Sequence, residues 1–249
     1  NGARHVAYTY TPMRYAWTEL NLNGTRTRKN PIVDQFMQAF REWDQKAASR
    51  VHQIATISKA VSQRIQSAYQ REASIIYPPV EVGRFKPAPK REDFYITVTR
   101  LVAHKRVDIL VRAFSKLNLP LLIIGEGPEL PRLKNMAGLN VQFLGYQSDE
   151  KVAEYLGKAR GFVCATEEDF GIAIVEAQAA GCPVIAYGQG GALDTVIDDV
   201  TGIFFAEQSP ECLMEAIQRY KKISSNFHTS DLVKNSRNFN RDHFISKFK

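Results

Sequence analysis

Cysteine is scarce: three residues in 249, Cys164, Cys182 and Cys212, odd in number, widely spaced and without a C-x-x-C pair. That usage excludes a disulfide framework and a thiolate metal cage, so all three are read as reduced structural thiols. Long apolar runs are also missing. The stretch at residues 119–124 falls far short of the ~20 residues a membrane-spanning helix needs, and no signal-peptide pattern opens the chain. A soluble, cytoplasmic protein is the expectation. No Cys/His finger and no basic helix with interleaved aromatics is present, which argues against nucleic acid as a partner. No Asp-x-Asp pair stands in a metal-holding context, and Asp198-Asp199, ahead of Gly202, reads as a turn. No metal and no cofactor are expected.

The formal charge of +7 is unevenly spread. Residues 1–91 hold 15 Lys and Arg against 6 Asp and Glu, residues 92–222 hold 13 against 18, and the last 27 hold 5 against 2. The basic ends suit phosphates or an anionic membrane surface at the inner face of the cell, or are simply solvated.

Residues 4–10 alternate in the manner of a strand and end at Thr11-Pro12. A polar, basic stretch covers residues 21–30. Pro31 then opens a long amphipathic helix with Ile32, Val33, Phe36, Met37, Phe40 and Trp43 at helical spacing, a pattern that reads as core. A strand at 53–57, a Ser58-capped helix through Tyr69 and a strand at 73–77 follow, halted by Pro78-Pro79. The charged segment 80–91, with Pro87 and Pro89, separates regions of opposite charge, and the domain boundary is placed there. Beyond it strands (94–99, 119–124, 141–144, 161–165, 183–187) alternate with helices (107–117, 129–136, 149–158, 171–180, 192–197). Such alternation predicts an α/β fold with a doubly wound parallel sheet, whose ligands bind beyond the carboxyl ends of its strands. The tail is polar over residues 224–240, with a short helix expected from Asp242.

The candidate motifs fall at those strand ends. In the segment 166–186, TEEDFGIAIVEAQAAGCPVIA, an acidic loop leads into a helix whose free amides, around Gly171 to Ala173, favour a negative ligand. Glu168 stands just before that helix and Glu176 two turns inside it, so both can face one ligand. Two carboxylates repel a phosphorylated ligand unless they accept hydrogen bonds from hydroxyls, which sugar and ribose supply. In the segment 100–108, RLVAHKRVD, Arg100 and Lys105 suit a diphosphate, the first by a bidentate fork and the second as a point charge, while His104 and Arg106 are expected to face solvent. The segment 121–129, LLIIGEGPE, is a strand entering a Gly-x-Gly turn. Leu130 stands where a dinucleotide fingerprint has its third glycine, so NAD binding is rejected. Leu144-Gly145-Tyr146 ends another strand, with Tyr146 either a packing residue or a ligand neighbour. The Gly-rich segment 188–195, GQGGALDT, is either an architectural turn or a pocket wall.

Taken together, the two glutamates separated by seven residues around Phe170-Gly171, the Ala-rich helix, Gly181-Cys182-Pro183-Val184 and the following glycines closely resemble the signature of group-1 (family 4) retaining glycosyltransferases of the GT-B fold. The resemblance spans residues 5–222 and is most specific over 92–205. It implies a Rossmann-like donor domain at residues 92–240, a partial Rossmann-like acceptor-side domain at 1–91, and a C-terminal segment, 241–249, that returns to the first domain. The likeness assigns donor-sugar hydroxyls to Glu168, ribose hydroxyls to Glu176, the transferred sugar to the backbone of Phe170, Gly171 and Ile172, and the diphosphate to Arg100 and Lys105, which also stabilise it as it leaves. Gly125, Gly145 and Tyr146 would lie near the nucleotide and Gly191 would line the donor pocket.

The segment 8–17, YTYTPMRYAW, resembles a strand-end motif of bacterial mannosyl- and related transferases, with Tyr10 where many relatives carry histidine. No role is assigned to Tyr10, and Arg14 is either an acceptor or phosphate contact or a loop residue. The resemblance further implies that an N-terminal part of the acceptor half is missing. It predicts transfer of a hexose, with mannose preferred, from a nucleotide diphosphate sugar, GDP-mannose before a UDP-sugar, to a hydroxyl of a glycan or lipid-linked glycan. Anomeric configuration would be retained, the leaving phosphate assisting deprotonation of the acceptor. A binding-only nucleotide-sugar module and a GT-B nucleotide-sugar epimerase are the alternatives.

Overall fold

The computed structural model describes residues 4–17 and 31–248, without the Tyr15 side chain. The basic stretch read at 21–30 lies outside them. The chain divides into two compact units, Asn1–Tyr77 and Pro78–Lys249. In the first, strands β1 (Val6–Thr9), β2 (Gln53–Thr56) and β3 (Ser74–Ile75) pair in parallel in that order. Helices α1 (Arg14–Trp17) and α2 (Pro31–Ser49) lie between β1 and β2, and α3 (Lys59–Tyr69) between β2 and β3. Ser58 caps α3 as expected, its hydroxyl accepting the Val61 amide at 3.1 Å.

Helix α2 corrects the sequence reading. Phe36 and Trp43, read as core, are 68% and 63% exposed, and no described residue of this helix is buried. The helix is anchored instead by its polar edge. Asp44 accepts from the Trp17 indole at 2.8 Å and from the Tyr69 hydroxyl at 2.9 Å, and Gln45 donates to the Ala68 carbonyl at 2.7 Å. Periodicity marks a face as apolar; it does not say what covers that face.

The second unit is built on a six-stranded parallel sheet. Its strands are β4 (Tyr95–Val98), β5 (Leu121–Ile124), β6 (Val141–Gly145), β7 (Gly161–Cys164), β8 (Val184–Tyr187) and β9 (Gly202–Phe205), in the order β6-β5-β4-β7-β8-β9. The winding starts at β4, runs outward to β6, returns to β7 and runs outward the other way, which is the doubly wound order. Successive residues of one strand serve opposite cores. Tyr95, Val163, Ile185 and Ile203 join Phe114 of α4 (Val107–Leu117) and Leu213 and Ile217 of α9 (Pro210–Ile223) in one. Ile96, Phe162 and Val184 join Leu156 of α6 (Asp149–Lys158) and Ala177 of α7 (Ile172–Ala179) in the other. The remaining helices are α5 (Leu130–Met136), α8 (Ala192–Thr195), α10 (Thr229–Ser236) and α11 (Arg241–Phe248).

Three features depart from the expected layout. The chain parts between Tyr77 and Pro78, ahead of the boundary placed in 80–91, because that linker packs on the second unit. The Val80 amide donates to the Phe239 carbonyl at 2.8 Å, Phe85 is buried in the second core cluster with Leu156 and Ala159, and Arg91 donates to the Gly181 carbonyl at 2.7 Å. The linker crosses α6 at Gly157, where a Cβ would stand 2.8 Å from the Lys86 carbonyl oxygen. Strand β9 and helix α9 complete the sheet and one core where no element was expected, and the polar stretch 224–240 contains α10, anchored by buried Leu232, Asn235 and Ser236. Finally, α11 groups with the second unit, not the first.

A buried polar network ties α10 to the turn after β8. Asn235 donates to the Gln178 side-chain carbonyl at 2.7 Å and to the Thr195 carbonyl at 2.9 Å, Gln178 donates to the same Thr195 carbonyl at 2.8 Å, and the Thr195 hydroxyl donates to the Gly191 carbonyl at 3.0 Å. Asn235→Ala would strip the Gln178 oxygen of its donor inside the protein. We expect it to lower stability by about 1–3 kcal/mol, read as a shifted urea midpoint at unchanged slope; an unchanged midpoint would mean the network does not hold this turn.

Candidate functional site

The loops that leave β4 and β7 part in opposite directions, since the chain winds outward on either side of these two strands. A crevice at their carboxyl ends is the geometric result. From the β4 side comes a short helical turn, Ala103–Lys105, and from the β7 side the loop that carries Glu168. The Lys105 ammonium lies 2.8 Å from each Glu168 carboxylate oxygen, with both side chains largely covered, at 18% and 21% exposed. A second bond joins the same loops, from the Thr166 hydroxyl to the His104 carbonyl at 3.0 Å. Beside this pair Cys164 is buried. Burial, reinforced by the Glu168 charge, pushes its thiol up to about 12.

Two glycines are required by close approach. Gly125, at φ +132°, would place a Cβ 1.9 Å from the Thr99 carbonyl oxygen, which brings the Gly-x-Gly turn against the loop after β4. Gly191 would place one 2.3 Å from Cα of Phe170, and its amide donates to the Glu168 carbonyl at 2.7 Å. The glycine-rich turn at 188–195 is therefore an architectural necessity: it packs directly behind the acidic loop.

Helix α7 is preceded at its N-cap by Gly171, in the left-handed conformation at φ +93°. Phe170 before it is 3% exposed and set edge-on to Phe239 at 5.5 Å, while Ile172 is 49% exposed. Glu168 and Glu176 engage different cations. Glu176 pairs with Arg84, a residue of the short helical turn Val82–Arg84 in the linker, at 2.6 Å. Arg84 also reaches Asp149, at the start of α6, at 2.5 Å. Burial raises the Glu176 carboxyl above the usual carboxylate range, against the pull of Arg84.

Arg84 belonged to no motif. A single arginine between a glycine and a phenylalanine carries no spacing signal, and only the packing of Phe85 shows where its guanidinium goes. Arg100 is exposed and, among the described residues, makes no ion pair. His104 and Arg106, expected in solvent, are both half-buried: the backbone carbonyl of the first accepts from Thr166, and the second pairs with Asp108 at 3.3 Å. Tyr146, at 75% exposure, is not a packing residue among those described. In the first unit, Tyr10 is 63% exposed and edge-on to Tyr8, and Arg14 is half-buried. Among the described residues no group of three or more His, Cys, Asp or Glu is arranged to hold a metal ion, and no helix is long and apolar enough to cross a membrane.

The family model for glycosyl transferases group 1 matches residues 81–239. The chain belongs to that family. Among curated relatives, the GDP-mannose-dependent alpha-(1-6)-phosphatidylinositol monomannoside mannosyltransferase of Mycobacterium tuberculosis is 31% identical over 196 residues, covering 66% of this chain and 51% of the relative. An uncharacterized glycosyltransferase of Methanocaldococcus jannaschii is 28% identical over 179 residues, covering 69% and 50%. The chain thus spans about half the length of these relatives. Among solved structures, sucrose-phosphate synthase from Thermosynechococcus elongatus superposes with a TM-score of 0.79 at 20% identity, over 98% of this chain and 65% of the other. Anabaena HepE in complex with UDP and glucose gives 0.73 at 19% identity, over 98% and 70%. These likenesses carry the GT-B fold expected from the sequence, with its Rossmann-like parallel sheet.

The burial that raises the Cys164 thiol also pushes Cys182 up to about 12. Both are therefore protonated at pH 8 and closed to reagents, whereas Cys212 is half-buried. Titration of the native protein with an aromatic disulfide reagent at pH 8 should release one thiol quickly and the other two only on unfolding; fast reaction of all three would contradict this packing.

Proposed function

We propose that the chain carries the donor half of a retaining hexosyltransferase, binding a nucleoside diphosphate sugar over the carboxyl ends of β4 and β7. The observation that carries this reading is the Lys105–Glu168 pair across the crevice, 2.8 Å long and next to the amide-rich start of α7. The two groups satisfy each other. With donor bound, Lys105 turns to the diphosphate, together with Arg100, and Glu168 accepts from hydroxyls of the donor sugar. The backbone of Phe170, Gly171 and Ile172 faces the transferred sugar, and Gly191 closes the wall behind it. Glu176 accepts from the ribose, and Gly125, Gly145 and Tyr146 border the nucleotide.

In the transfer itself, the bond from the anomeric carbon to the diphosphate breaks and its electron pair leaves on the phosphate oxygen. Lys105 and Arg100 stabilise the charge that develops there, where a preorganised cation contributes most. The acceptor oxygen bonds to the anomeric carbon on the same face, and its proton passes to the departing phosphate. The acceptor is a hydroxyl of a glycan or lipid-linked glycan. GDP-mannose is the preferred donor, because the mycobacterial relative is named for it and the segment 8–17 resembles mannosyltransferases; a UDP-sugar comes next, since the Anabaena structure holds UDP.

Calorimetry of GDP, UDP and ADP should find one of them bound, and Glu176→Ala should weaken it by about tenfold or more, since a charged acceptor is lost. No binding by the folded chain would refute the donor site, and binding without any transferred sugar in product analysis would leave a binding-only module.

The basic first unit gives the same reading a surface for a lipid-linked acceptor. Residues 1–77 hold 11 Lys and Arg against 5 Asp and Glu, and α2 exposes Ile32, Phe36 and Trp43. Co-sedimentation with phosphatidylglycerol vesicles, but not with phosphatidylcholine, is expected and should fade at high salt; equal binding to both would exclude an electrostatic membrane contact.

A further inference from the structure

Arg84 reaches the carboxylate that the donor site assigns to the ribose, yet it comes from the linker and not from the sheet. Its place is fixed from three sides. Phe85 is buried beneath it, with the guanidinium 4.7 Å from the Phe85 ring centre; Asp149 holds one guanidinium nitrogen and Glu176 another. Asp149 opens α6, immediately after the loop of Gly145 and Tyr146. The guanidinium therefore spans two proposed subsites, one beside the nucleotide and one at the ribose.

Only Oε1 of Glu176 is taken by Arg84 among the described residues, and no other hydrogen bond to this side chain is present. A carboxylate offers about four lone-pair positions, so an anchored one still has room for two hydroxyl donors. That matches a cis-diol. The guanidinium, fixed by Asp149 and the Phe85 ring, presents one N–H to Glu176 from a set position, which a flexible ammonium does not.

We propose that Arg84 is a positioning residue of the donor site, holding the Glu176 carboxylate, through its bridge to Asp149, in the orientation that receives the two ribose hydroxyls. The inference rests on the donor-site reading above. The charges acting on Glu176 are Arg84 from the linker and Asp149 from α6; the first favours its ionised form, and burial and the second oppose it. Without Arg84 the buried carboxyl holds its proton to higher pH. In that form it loses the charge that strengthens the bonds it accepts from the two hydroxyls. Ribose recognition in such a variant is then lost as pH falls, at values where the native protein keeps it.

The test compares GDP and UDP with their 2′,3′-dideoxy analogues, by calorimetry on the native chain and on Arg84→Met, at about pH 8 and about pH 6. The native protein should favour the ribose form by about tenfold or more, and Arg84→Met should reduce that preference to about twofold, with a greater loss at the lower pH than at the higher, while binding the dideoxy analogue as the native protein does. Arg84→Lys, which keeps the charge, should restore most of the preference at low pH. If Arg84→Met does not fold, Asp149→Ala carries the test: loss of the second anchor, which removes the acceptor as well as the charge, should lower the ribose preference by about threefold. Native binding with an unchanged preference in a folded variant would overturn the role of Arg84 and leave the donor site standing. Failure of the native protein to bind either nucleotide would overturn both.

Discussion

A largely covered carboxylate must find a cation or a proton, and the second unit is arranged around two that found cations. The reversal of winding between β4 and β7 opens a crevice whose walls come from separate parts of the chain. Glu168 on one wall is held by Lys105 on the other. Inside α7, Glu176 is held by an arginine that the sheet does not supply, so the linker has to lie against α6 and α7 for that charge to be met. The position of the linker, the tight crossing at Gly157 and the burial of Phe85 are all conditions for the same electrostatic outcome. Breaking one partner of such a pair costs more than the pair itself contributes, because the other charge is left uncompensated.

The glycines belong to the same arrangement. Loops that must meet at one crevice have to pass each other closely, and two of them do so at backbone separations that admit no side chain. At Gly125 the constraint is both conformational and steric; at Gly191 it is steric, the next chain segment occupying the volume of a Cβ. A charged crevice of this kind is thus set up by residues without charge or functional groups.

Much of this architecture was legible in the sequence, and the reason is periodicity. Strand and helix alternation over 92–197 follows from apolar residues that must serve two cores at once, and the glycine turns follow from the strand ends they occupy. What escaped notice was not all of one kind. Helix α9 carries Leu213, Ala216, Ile217 and Tyr220 at helical spacing behind a Ser209 cap and Pro210, a signal of the same kind as those of the earlier helices. Helix α10 is anchored by polar groups, Asn235 above all, that composition marks as surface. The reverse holds at α2, whose apolar stripe has the spacing of a core face and is nonetheless exposed. For the site, residue types at strand ends located Lys105 and Glu168, but no pattern in one dimension announces that Arg84 will meet Glu176 across 92 positions.

Residues near the end of the chain support the loop at the front of the crevice. Asn235 grips the turn that backs the acidic loop, and Phe239 is the ring against which Phe170 stands. Strands β4 to β9 can pair as soon as they are made, but the acidic loop lacks its backing until residues 235–239 exist. During synthesis the sheet precedes the acidic loop's support: a nascent chain halted after β9 would have the hydrogen-bonded frame of the parallel sheet and an acidic loop with nothing behind it.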